Sequence, residues 1–194
     1  MLTLLRPLAW VNTLLLRAMR HVAWMALALM VIVILAQVFF RYVLNNALPW
    51  PDEAARFLML WMTALMAPSA MRWGGFVSID MLPHALPRVP GLVLTLILLL
   101  AALVVLVVGL SQGYNHTFGF GGKFNSSSLR VPLDLLGFET IRVKLKYMYG
   151  SLLLSVAMMS VVTVEMILRT LVSLFDPQAE LPEDDAPSGI MEAE

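Results

Sequence analysis

Residues 91–110 read GLVLTLILLLAALVVLVVGL, a run without a single charged side chain. As a helix, about 20 residues rise ~30 Å, the thickness of a bilayer's hydrocarbon core. A membrane β-strand would be shorter and would alternate polar with apolar positions; this run does neither. Lipid offers no hydrogen bonds, so a crossing segment must satisfy its own backbone, and a helix does so. Working outward from this run, three further stretches have the same character: 22–43 (from HVAWMALALMVIVILAQVFF into RYV), 54–71 (AARFLMLWMTALMAPSAM) and 148–168 (MYGSLLLSVAMMSVVTVEMIL). The expected fold is an all-α integral membrane protein with four transmembrane helices. Arg56 lies near the start of the second span and Pro68 near its end, where it is expected to kink or terminate the helix.

Composition agrees. Of 194 residues, 60% are hydrophobic and 13% charged, against roughly 25% charged in a soluble domain. Mean hydropathy is +0.82. No cysteine is present, which excludes disulfides, Cys zinc sites and CxxC redox chemistry. No basic patch with interleaved aromatics points to nucleic acid.

The formal net charge is zero but unevenly spread. Residues 1–21 carry Arg6, Arg17 and Arg20 and no acid, whereas 176–194 carry seven acids and no base. Leu4, Leu8, Val11, Leu15 and Met19 fall at helical spacing, so residues 1–20 are expected to form an amphipathic helix lying in the membrane interface. Pro7, Arg17 and Arg20 break any clean signal-peptide core, so the first apolar run is expected to be retained. Residues 1–175 then form the membrane domain, and 176–194 an acidic, disordered tail. In the longest connector, 111–147, the glycines and serines of 119–128 mark an irregular piece, and DLLGFETIRVKLKY (134–147) is expected to hold a short helix. Basic residues divide six against seven between the two sides of the membrane, so charge does not orient the chain. The basic leading flank of the first helix favours an N-terminus inside.

Candidate chemistry is sparse. His21, His84 and His116 lie outside the span interiors at no metal-ligand spacing, and no haem or other cofactor is implied. Asp52 and Glu53 stand four and three residues before Arg56, which puts opposite charges on one helix face, with Pro51 at a first helical position and acids at the positive end of the helix dipole. Arg41 can join this corner from the end of the preceding helix. An ion-paired helix start at the membrane surface explains it fully; the functional alternative is a corner that docks a partner subunit. Glu165 is the only acid well inside a span. An acid in that place is a functional candidate, and its i,i+4 neighbour Arg169 offers the alternative of an intramembrane ion pair near the headgroups. No span carries a line of polar residues, and no pair of spans is broken at matched midpoints, as a substrate pathway requires.

The ordered set Arg41, Tyr42, Asn45, Trp50, Glu53, Arg56, Trp61, Arg72, Gly74, Asp80, Leu86 and Pro87, within QVFFRYVLNNALPWPDEAARFLMLW and MRWGGFVSIDMLPHALP, resembles the DctQ-like small membrane subunit of tripartite ATP-independent periplasmic (TRAP) transporters. Ser128–Pro132, SLRVP, is a weaker match. Met66 stands where the family often has Gly and Phe76 where it often has His, and 133–147 is longer and more charged than the family pattern. The resemblance implies a scaffold subunit in the bacterial inner membrane with cytoplasmic termini. Its partners would be a large elevator-type permease subunit carrying the substrate and sodium sites, a periplasmic solute-binding protein that delivers a solute such as an organic acid, and membrane lipid. It implies a bracing or interface role for Arg41, Asn45, Trp50, Asp52, Glu53, Arg56, Trp61, Arg72 and Asp80. The competing expectation is a self-sufficient homo-oligomeric transporter or channel with Glu165 as its ion-coupling acid.

Overall fold

The computed structural model describes residues 2–46, 48–74, 86–119, 121–131 and 141–176. Among these, four helices are long and apolar enough to cross a membrane: α1 (Leu2–Tyr42), α2 (Pro51–Arg72), α3 (Arg88–Phe118) and α4 (Lys146–Phe175). Each contains the apolar run expected of it almost whole. At 1.5 Å per residue, α2 is ~33 Å long and only just spans the hydrocarbon core, whereas α3 and α4 exceed 40 Å and α1 reaches ~60 Å.

The segment expected to form a separate interfacial helix is the first half of α1, continuous with the span. Its protein-facing stripe is Leu5, Ala9, Asn12, Leu16, Met19 and Ala23, all buried. Of the apolar stripe read from the sequence, Met19 is buried too, whereas Val11 and Leu15 are exposed. Lipid accepts an apolar face as readily as a protein interior does, so apolar periodicity alone does not mark the packed side. Small and polar residues such as Ala9, Asn12 and Ala23 mark it better, because they allow close approach and bond between helices.

α1 packs on α2, α2 on α4, and α4 on α3, while α1 also reaches α4. The central apolar cluster joins three helices: Leu16, Met19 and Ala23 from α1, Leu65 from α2, and Met158 and Val162 from α4. On its other side, α4 meets two glycines of α3. A Cβ on Gly109 would lie 3.4 Å from Val156, and one on Gly113 would lie 3.4 Å from Leu153. This Gly-xxx-Gly pair lets the two backbones close in. Pro68 does not end α2, which continues to Arg72 and is capped by the Trp73 N–H on the Ser69 carbonyl at 3.1 Å.

At the end of the bundle where α1 finishes and α2 begins, Asn45 takes a left-handed conformation (φ 49°) that lets the chain reverse. α2 starts at Pro51 with Asp52 and Glu53 in its first turn. A short antiparallel hairpin, β1 (Asn125–Val131) with β2 (Ile141–Lys144), lies at this end and touches α2 and α4. Within 134–147, where a short helix is expected, 141–144 is a strand and Lys146 already belongs to α4. The β-branched residues of IRVK suit a paired strand. Residues 134–140 lie outside the described residues, as do Asp80 and the acidic tail beyond Asp176.

A continuous α1 has a measurable length. Spin labels at Arg6 and Phe39, both exposed, should stand ~50 Å apart, whereas a helix folding into the interface near residue 21 would bring them to about 35 Å.

Candidate functional site

The largest polar assembly among the described residues is built around Glu165, fully buried on α4. Arg72 closes α2, where the negative end of the helix dipole favours a cation. Its Nη2 donates to Glu165 Oε1 at 2.7 Å. Arg169, one turn along α4, donates to the same oxygen through Nε at 3.0 Å and Nη2 at 2.8 Å. Asn12 of α1 donates from Nδ2 to the other carboxylate oxygen, Oε2, at 2.7 Å. Arg72 also reaches α1, with Nη1 donating to Thr13 Oγ1 at 2.7 Å and Nη2 approaching the Ala9 carbonyl at 3.4 Å. The Thr13 hydroxyl donates in turn to the Ala9 carbonyl at 2.8 Å.

One carboxylate thus ties three helices. The side chains of Glu165 and Arg72 are 0% and 3% exposed, and that of Arg169 is 13% exposed. At this burial two ions survive only if their geometry is good and their remaining donors and acceptors are met. Both carboxylate oxygens are bonded, which meets that condition for Glu165. Two guanidiniums thus face one carboxylate. The i,i+4 spacing anticipated the Glu165–Arg169 pair, but nothing in the local sequence joins Arg72 or Asn12 to it. The signal available was an Asn among apolar residues at position 12, on the face that packs.

The corner at the opposite end is arranged differently from a salt-bridged network. Arg41, Asp52 and Arg56 are all exposed, and among the described residues no ion pair joins Arg41 or Arg56 to Asp52 or Glu53. The Arg41 guanidinium lies 5.8 Å from the Tyr42 ring. Glu53 instead accepts a hydrogen bond from the Ser126 hydroxyl, which fastens β1 to the start of α2. Asn45 is exposed in the turn, and Trp50 is half-buried at the N-cap of α2. Trp61 packs against the central apolar cluster. Trp73, beside Arg72, lies under the Arg20 guanidinium at 4.9 Å. The expected site residues therefore separate into two ends of the bundle: Arg72, Glu165 and Arg169 at one, Arg41 to Arg56 at the other. Trp61 lies between them, and Asp80 is outside the described residues.

Removing one member of a buried pair strands the other in a medium that cannot solvate it, at a cost of about 3–5 kcal/mol. Arg72→Met and Glu165→Met should each lower the thermal unfolding midpoint strongly. The double variant should lose less than the two singles combined by about 1 kcal/mol or more. Strict additivity would show that the two residues do not act on one another.

The chain matches the family described as tripartite ATP-independent periplasmic transporters, DctQ component, over residues 30–173, well over half its length. The match takes in Arg72, Glu165, Arg169 and the whole Arg41–Arg56 corner, and begins after Asn12 and Thr13. The search of curated proteins gives no match. Four membrane-spanning helices, the ordered corner and this match have one meaning: the chain belongs to the DctQ family, the small membrane component of TRAP transporters.

Proposed function

We propose that this chain is the static brace of a TRAP transporter. In this role it carries no solute itself. It holds a fixed position in the bacterial inner membrane beside a large permease subunit, which moves and carries the sodium and solute sites. The solute, an organic acid or similar compound, reaches that subunit from a periplasmic binding protein. Both termini face the cytoplasm, so the Glu165 assembly sits at the cytoplasmic end and the Asn45–Arg56 corner with the hairpin at the periplasmic end. There, Trp50, Glu53 and Arg56 offer a surface to the partner or to the docked binding protein. Residues 1–175 act as one membrane unit, and the acidic stretch 176–194 follows on the cytoplasmic side. The chain has no enzymatic activity in this reading.

The observation that carries the reading is the state of Glu165. An ion-coupling acid must exchange its proton or cation during each cycle. Here both carboxylate oxygens are engaged by Asn12, Arg72 and Arg169. Such an arrangement favours rigidity over exchange. It speaks against the self-sufficient transporter, for which Glu165 was the best candidate.

An affinity tag on this chain alone, with its neighbouring genes co-expressed, should bring down the large subunit at one-to-one. A chain that purifies alone as a defined oligomer and moves solute in vesicles would contradict the reading. Two variants refine it. Glu53→Lys should reduce both copurified large subunit and uptake. Glu165→Gln should lower thermal stability while each surviving complex transports at the normal rate; a stable, fully assembled complex without transport would give Glu165 a coupling role.

A further inference from the structure

Two helices outrun the membrane at the hairpin end. The apolar run of α3 stops at Leu110, yet the helix continues through residues 111–118. Eight further residues rise ~12 Å, whereas the headgroup layer adds only about 5–8 Å to each side of the hydrocarbon core. Phe118 therefore stands beyond the lipid. α4 begins at the same height: the Lys146 ammonium lies 4.8 Å from the centre of the Phe118 ring. One turn back along α3, the Tyr114 ring lies 4.8 Å from that of Phe118.

Backbone pairing gathers lysines at this point. The Leu145 N–H donates to the Phe124 carbonyl at 3.0 Å, and Asn125 pairs with Lys144 at the end of the hairpin nearest α4. The short turn Gly121–Lys123 packs on α4 as well. Lys123, Lys144 and Lys146 thus share one patch, and all three are exposed. Among the described residues no salt bridge joins them to an acid. Glu53 of α2, which meets β1 beside this patch, is bonded to Ser126. From 111 to 150 the chain has five Lys and Arg and two acids, so the segment is positive wherever Asp134 and Glu139 lie. Aromatic surface is open beside the lysines: Tyr114, Phe118 and Tyr147 are 58%, 51% and 56% exposed.

Height and charge together select the partner. Lipid headgroups end below Phe118 and Lys146. A permanent partner subunit buries a more hydrophobic face. Lysines around aromatic rings suit a transient partner of opposite charge, because the charges steer the encounter and the rings supply contact area. We propose that Tyr114, Phe118, Lys123, Lys144 and Lys146 form a docking surface for an acidic face of the solute-binding protein; this rests on the TRAP reading, whose orientation puts this end in the periplasm. A protein that delivers solute must leave after each delivery, which a steered, exchangeable contact allows.

Uptake by the complex of this chain with its large subunit tests this, in vesicles of zwitterionic and of anionic phospholipid, with the binding protein added at increasing concentration. Lys123→Glu combined with Lys144→Glu should raise the binding-protein concentration for half-maximal uptake about tenfold or more, and uptake should recover at high concentration. In the wild type that concentration should rise with salt, and in the double variant the rise should be lost. Phe118→Ala should raise it too and keep the salt dependence. If Phe118→Ala lowers the amount of folded chain, the two exposed lysines decide. An assembled double variant that needs no more binding protein than the wild type, a defect confined to anionic vesicles, or less copurified large subunit in the double variant would each overturn the proposal. A wild-type chain that brings down no large subunit would overturn the brace reading itself, and this surface with it.

Discussion

A carboxylate inside a membrane protein must be met on every side or it will not remain charged, and Glu165 is met by three helices at once. Asn12 reaches it from α1, Arg72 from α2 and Arg169 from its own helix. The apolar contacts of the bundle are individually exchangeable with lipid, because lipid tails are as apolar as leucine and no hydrophobic drive separates the two environments. The bonds to Glu165 are not exchangeable in that way. They fix the register of α1 against α2 and α4, and through that register they decide which face of α1 is packed. The first half of α1 is held to α2 and α4 at Ala9, Asn12 and Thr13.

Much of the fold was legible in the sequence because the membrane imposes a length and an apolar content on every crossing. The spans around 22–43, 54–71, 91–110 and 148–168 were found on that ground alone. Their true ends were not, because a helix does not stop where the lipid stops: Ser111–Phe118 continue α3 as polar turns until Gly119 ends it. The packed side of α1 was not marked by its apolar spacing for a related reason. In water, an apolar stripe announces the core; in lipid, it announces nothing by itself, and Asn12 was the more informative letter. The strand at Ile141–Lys144 was also missed, since a charged IRVK beside a helix start carries little pattern over so few residues.

The candidate sites divide along the same line. Arg41, Asp52, Glu53 and Arg56 stood out because their spacing is local, yet the structure leaves them without a mutual ion pair and uses Glu53 to hold β1 through Ser126. Arg72 and Glu165 are 93 residues apart in sequence, and no local rule could pair them. The ordered corner still had value, because it pointed to the family that the comparison then identified. A rigid node at one end and a hairpin-fastened turn at the other suit a subunit whose contribution is to stay still while a partner moves.

Immobility is the central claim, and the chain offers a direct way to impose it. It has no native cysteine, and a Cβ at Gly113 would stand 3.7 Å from the Leu153 Cβ, within the ~3.5–4.5 Å that a disulfide spans. The decisive measurement is solute uptake by the whole transporter carrying Gly113→Cys and Leu153→Cys, oxidised and reduced. A static brace predicts the same uptake with α3 locked to α4 as without the lock. Loss of uptake on oxidation, restored by reductant, would mean that this subunit moves during transport and would contradict the account.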